Sequence, residues 1–168
     1  MTSGFQAARG ALLAVAVLAC GNPPVATPGA PGDAGAATKQ LVIAALSAAG
    51  VPAGETTKPY RPSEIPALTA TPRSVIQAQL GNDPDHGFVV IYAFTSAATA
   101  EKTAYDQAAY VASPAGGIQF APGSHFVIRL VDTTMIFFTW SPGTSPDLQQ
   151  QKIEDALGGV GVGVPISS

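Results

Sequence analysis

The sequence predicts an α+β domain: a four-stranded, mainly antiparallel sheet built from two hairpins, with helices packed on one face. Three observations point to it. Four runs rich in Val, Ile, Phe or Tyr fall in two close pairs, 74–80 with 88–94 and 126–131 with 134–140. Turn residues bound every run, so each pair closes as a hairpin. Stretches with helical spacing of apolar residues stand before, between and after the pairs.

In chain order the domain occupies 38–164, with a short tail at 165–168. Thr38 is placed to cap a first helix, whose Leu41, Val42, Ala45, Leu46 and Ala49 recur at helical intervals. Gly50 then stops it. Residues 51–72 hold five prolines and read as irregular, extended chain. The first hairpin turns through Gly-Asn-Asp-Pro-Asp-His-Gly at 81–87, the second through Asp132 and Thr133. Ser96 caps a second helix over 97–111, with Ala97, Ala100, Ala104, Ala108 and Val111 on one face. Such small residues let the helix backbone come close to a sheet. Ser145, Pro146 and Asp147 spell a cap, a first-turn proline and an early acid for a third helix. Leu148, Ile153, Ala156 and Leu157 supply its apolar side and Gly158 its end. The alternating glycines and valines of 159–164 follow a helix and lack a Lys-Ser/Thr pair, so they read as a flexible or strand-like tail and not as a phosphate loop.

One-sided packing requires apolar and polar residues to alternate along each strand. Residues 74–80 obey, with Ile76, Ala78 and Leu80 against Gln77 and Gln79. Residues 88–94 and 134–140 are apolar on both sides. Something must therefore cover the second face. Residues 51–72 could fold back over it through Tyr60, Ile65 and Leu68; otherwise it is a homodimer or protein-partner surface, or a groove for an apolar ligand. On the latter readings Tyr92, Met135 and Phe137 are the first residues to suspect.

The N-terminus carries an address. Arg9 is the only charge among the first nineteen residues, and 11–19 is an unbroken run of nine apolar residues. A membrane-spanning helix needs about twenty, so the pattern is that of a secretory signal. Val17-Leu18-Ala19-Cys20 resembles the lipobox of bacterial lipoproteins, although Leu18 is larger than the residue usual at its position. The resemblance implies cleavage before Cys20 and a lipid anchor on its thiol. It would also explain why the chain has a single cysteine. The other reading is an ordinary secretory signal in which Cys20 is one small apolar residue. Residues 21–37 follow with four prolines, four glycines and no aromatic residue, the composition of a flexible tether. The expected organisation is thus a signal at 1–19, a lipidated cysteine with its tether at 20–37, and the domain. The order helix, hairpin, helix, hairpin, helix behind a lipobox is similar to that of small uncharacterised bacterial lipoproteins, a group that implies no activity.

Chemistry is sparse. Asp83, Asp85 and His86 could offer three metal ligands, but their spacing matches no metal motif and suits a turn, so no metal or other cofactor is expected. His86 and His125 permit a histidine-based hydrolase by counting alone, yet 143–147 lacks the second glycine of a nucleophile elbow. A single cysteine excludes an intramolecular disulfide and a multi-cysteine metal site. Only 11% of residues are charged and the formal net charge is −3, which argues against a nucleic-acid partner. The expectation is an exported, lipid-anchored protein facing outside the cytoplasm, in the cell membrane or outer envelope, and acting as a non-catalytic binding module. The alternatives are a small envelope hydrolase using His86 or His125 and a structural subunit of an envelope complex.

Overall fold

The computed structural model describes residues 31–167, so the signal, Cys20 and residues 20–30 of the tether lie outside the described residues. Helix α1 (Pro31–Ala48) leads into strand β1 (Ala53–Glu55), the short helix α2 (Pro66–Thr69) and the hairpin of β2 (Arg73–Ala78) and β3 (Phe88–Ala93). Helix α3 (Ala97–Ala112) and one turn, α4 (Pro114–Gly117), precede the second hairpin, β4 (His125–Val131) with β5 (Thr134–Trp140). Helix α5 (Gln149–Gly158) and a last strand, β6 (Val162–Gly163), complete the chain.

The strands form one antiparallel sheet in the order β1-β2-β3-β5-β4-β6. The two expected hairpins are its centre, joined through β3 and β5 with Ile91 opposite Ile136. The sheet has six strands, not four. Both additional strands are only two or three residues long; nothing in Ala53–Glu55 marks a strand, and the glycine-valine alternation of 159–164 left β6 open between strand and flexible tail.

Helices also cover both faces instead of one. Under α1 and α5 lies a core of aliphatic residues, including Val42, Leu46, Ile76, Ile91, Ile136 and Leu157. On the opposite face α3 lays Ala100, Ala104 and Ala108 against Val90, Met135 and Phe137. The chain at 60–69 closes the rest of that face, with Leu68 fully buried and Tyr60 and Ile65 partly so. This explains why β3 and β5 are apolar on both sides: they are the two middle strands of a three-layer domain. Tyr92 and Met135, fully buried, and Phe137, 1% exposed, are interior residues of the second core. They are covered by the alanine stripe of α3 together with the chain at 60–69, where Tyr92 meets Glu64.

The first helix begins seven residues ahead of Thr38, so 31–37 belong to α1 and not to the tether. Glycine disfavours helix, but buried Gly35 lies against Ala93, and packing on β3 outweighs propensity. Thr38 consequently sits inside the helix, buried, with its hydroxyl 2.8 Å from that of Thr134. Ser96 does cap α3, its hydroxyl accepting the Thr99 N–H at 3.1 Å.

The far edge depends on Gly161. Its φ of 59° is left-handed, and a Cβ there would stand 2.1 Å from the Leu130 carbonyl oxygen. That close approach lets Arg129 bond the Val160 and Gly161 carbonyls at 2.7 and 2.8 Å, fixing β6 beside β4. Among the described residues no helix is long and apolar enough to cross a membrane.

Candidate functional site

The end of the sheet where β2 and β5 finish and β3 and β4 begin gathers three connections, 79–87, 118–124 and 141–148. Between them opens a pocket of about 180 Å³. Tyr60, Phe88, Phe120 and Trp140 form its aromatic walls, and Ser124, Thr139, Ser141 and Thr144 contribute hydroxyls. His86, Ser145 and Gln150 also line it, and among the described residues no Lys, Arg, Asp or Glu does.

Each connection is held in place by its own bonds. In 79–87, Gln77 donates to the Pro84 carbonyl at 2.7 Å and Lys58 donates to the same oxygen at 3.0 Å. Gly87 closes this turn at φ 78°, where a Cβ would crowd the Ala78 carbonyl at 3.2 Å. In 118–124 the Phe120 ring meets Phe126 edge-on at 4.8 Å, and Ser124 donates to the Ala121 carbonyl at 2.7 Å. In 141–148, Ser141 reaches across to the Pro122 carbonyl at 3.3 Å. Tyr60 arrives from the irregular chain and stacks on Phe88 with ring centres 4.4 Å apart.

Behind the pocket lies a polar cluster that joins two stretches treated separately in the sequence. Asp83 accepts a hydrogen bond from Ser145 on one carboxylate oxygen and pairs with His86 Nδ1 through the other. Gln150 donates to the Ser145 hydroxyl at 2.5 Å. Burial pushes the Asp83 carboxyl up, but the bonds from Ser145 and His86, the charge of His86 and Gln150 outweigh it and hold Asp83 below its ordinary value. With the Ser145 hydrogen committed to Asp83, the contacts run serine to aspartate to histidine. In a serine hydrolase the histidine stands between the other two.

Ser145 is therefore not the cap of α5. The helix starts at Gln149, and it is Asp147 Oδ1 that accepts the Gln149 N–H, at 2.9 Å. Gln150 Oε1 and Asp147 Oδ2 are the buried side-chain oxygens without a hydrogen-bond partner among the described residues.

His125 belongs to a different group. Its ring stacks on Trp140 with centres 4.7 Å apart, and its Nδ1 lies 3.2 Å from Glu154, which also accepts the Trp140 indole N–H at 2.8 Å. The two histidines thus have separate carboxylates and do not form one centre. Asp85 points away from the cluster to Lys58, 3.8 Å off, with its own side chain 87% exposed. Among the described residues no three His, Cys, Asp or Glu converge as a metal site.

Sequence reasoning named His86 as a candidate but did not single out Phe88, Trp140, Phe120 or Gln150 as site residues. A signal for Gln150 existed. It stands three residues before Ile153 and seven before Leu157, a polar residue on the apolar stripe of its helix. Phe120 had none, because its position follows from how α4 turns the chain.

Compared with known proteins, the chain matches no protein-family model, no curated protein and no solved structure.

Proposed function

We propose that this protein is an exported lipoprotein, anchored by Cys20 and acting as a binding module through the pocket at the end of its sheet. The sequence supports the anchor, through the apolar run that ends in Val17-Leu18-Ala19-Cys20. Two or three acyl chains on that thiol, each buried CH₂ adding about 0.8 kcal/mol, would hold the domain at a membrane. The observation that carries the binding half is the pocket itself: three loops and the irregular chain converge on one concavity with aromatic walls and hydroxyl groups. Concavities that pair apolar walls with a few fixed polar groups are where small molecules bind. The commitment of the Ser145 hydroxyl to Asp83 favours binding over a serine-based hydrolase.

Two measurements test the two halves. Cells fed an alkyne fatty acid should label the wild-type protein and leave Cys20→Ser unlabelled; equal labelling removes the anchor. For the pocket, Trp140 is the chain's single tryptophan and lines the cavity. Its indole NMR signal should move, saturably, with some members of a library of small polar molecules. If the signal moves with none of them, the pocket is no binding site.

A further inference from the structure

We infer that the pocket takes an uncharged, hydroxyl-rich ring: a single sugar residue, presented alone or as the end of a longer glycan. The inference rests on the binding reading above and names the chemistry of its ligand.

The lining excludes the alternatives one by one. A phosphate or carboxylate ligand leaving water needs an Arg, a Lys or a helix N-terminus to replace its hydration, and a cationic ligand needs a carboxylate. Among the described residues none of the lining is Lys, Arg, Asp or Glu. The charge that His86 carries when protonated is met by Asp83, and the first two N–H groups of α5 are taken by Asp147. Of the carboxylates bonded to the walls, Asp83 already holds Ser145 and His86, and Glu154 holds the Trp140 indole and His125. A purely apolar ligand would fit the four aromatic walls, but it would strip water from the hydroxyls of Thr139 and Thr144, which have no hydrogen-bond partner among the described residues, without replacing it. A ring with apolar faces and a polar rim meets both demands. The aromatic walls contact its faces, and the hydroxyls meet its edge.

Two polar groups specify the rim further. Asp83 occupies Nδ1 of His86, which fixes the ring's orientation and leaves Nε2 for a ligand. Gln150, fully buried in the lining, keeps an acceptor oxygen that nothing among the described residues satisfies. The Gln150 oxygen is an acceptor that lacks a hydroxyl hydrogen, and a sugar hydroxyl, both donor and acceptor, can meet Nε2 in either protonation state. Size limits the ligand too. About 180 Å³ lies well below the roughly 300–1,000 Å³ of pockets for drug-sized molecules, so one small ring fits.

The test uses the full chain in a detergent without a sugar head group, since such a head group would compete. Trp140 emission is followed during titration with glucose and N-acetylglucosamine, and with glucuronate and glucose 6-phosphate as charged counterparts. The expected result is a saturable change with at least one neutral sugar, at a Kd of about 1 mM, and at least about tenfold weaker binding of the charged forms. Phe120→Ala should weaken the neutral sugar about tenfold, as should Thr144→Arg, which fills the pocket from an exposed position where folding is not at stake. Tyr105→Ala, on the exposed side of α3, should change nothing. Tighter binding of a charged form overturns the inference but leaves the pocket a binding site. So does silence from all four sugars while members of the library still shift the Trp140 signal. If neither sugars nor library move it, the binding reading falls as well.

Discussion

The two faces of the sheet are closed in different ways. Under α1 and α5 the cover is helical and the contacts are large aliphatic side chains such as Leu46, Ile153 and Leu157. Those helices satisfy their own backbone, so their packing needs few polar links. The other face is covered partly by an alanine stripe and partly by irregular chain, which cannot satisfy its own N–H and C=O groups. There the links are polar. Gln107, fully buried on α3, accepts the Ile65 N–H at 3.0 Å and donates to the Ser63 carbonyl at 3.2 Å. Tyr92 reaches up from β3 to donate to Glu64, whose side chain is only 4% exposed and also pairs with Arg61. Arg61 in turn bonds the Thr69 carbonyl at 3.2 Å. A few buried polar pins thus do for an irregular segment what helical packing does for α1 and α5.

The contrast can be broken from either side. Leu46→Ala should have the largest effect, a loss of about 2–5 kcal/mol in global stability, because the cavity opens in a helix-backed core. Chemical denaturation measures it; a loss under about 1 kcal/mol would mean that aliphatic packing under α1 is not what holds the first face.

Gln107→Ala should cost less, about 1–3 kcal/mol, from two backbone groups left without partners. Its signature is local. Amides at 60–69 should exchange faster with solvent while those of β3 and β5 stay protected. Uniform loss of protection would show that the segment is not an independent cover.

The smallest effect separates the pocket end from the irregular cover by pH. Asp83 sits below its ordinary value when folded, so it adds stability above about pH 3.9 and loses it as pH falls through the folded value. Burial raises the Tyr92 hydroxyl first, and its bond to Glu64 and that residue's charge raise it further; burial alone raises Tyr60. Their neutral forms add stability below about pH 10, lost as pH climbs from there toward the folded values. Melting temperatures followed against pH should therefore show an acid limb that flattens in Asp83→Asn and an alkaline limb that flattens in Tyr92→Phe. Unchanged limbs would detach these groups from the stability of their regions.

Much of this was legible residue by residue. The hairpins at 73–93 and 125–140, the helix capped by Ser96 and the turn at Asp132, whose φ is 48°, all follow from nearest-neighbour chemistry. The two-sided apolar pattern of β3 and β5 was legible as well, and it required a second cover. Three features were not. The edge strands are too short to carry a period. Residues 31–37 have the composition of a linker and become helix because β3 lies beneath them. Ser145 has the form of a cap, and only the approach of Asp83, sixty-two residues away in sequence, gives it another partner.

By itself, then, the sequence determined the central hairpins and the bodies of the three longer helices, since each is written in spacings of a few residues. Only the tertiary structure decided which face each helix covers, that Tyr92, Met135 and Phe137 are interior, and that a neutral pocket opens where three loops meet. The reason is range. Periodicity records which side of an element is apolar, whereas the partner that buries it, and the hollow left between partners, are set by contacts that no local spacing encodes.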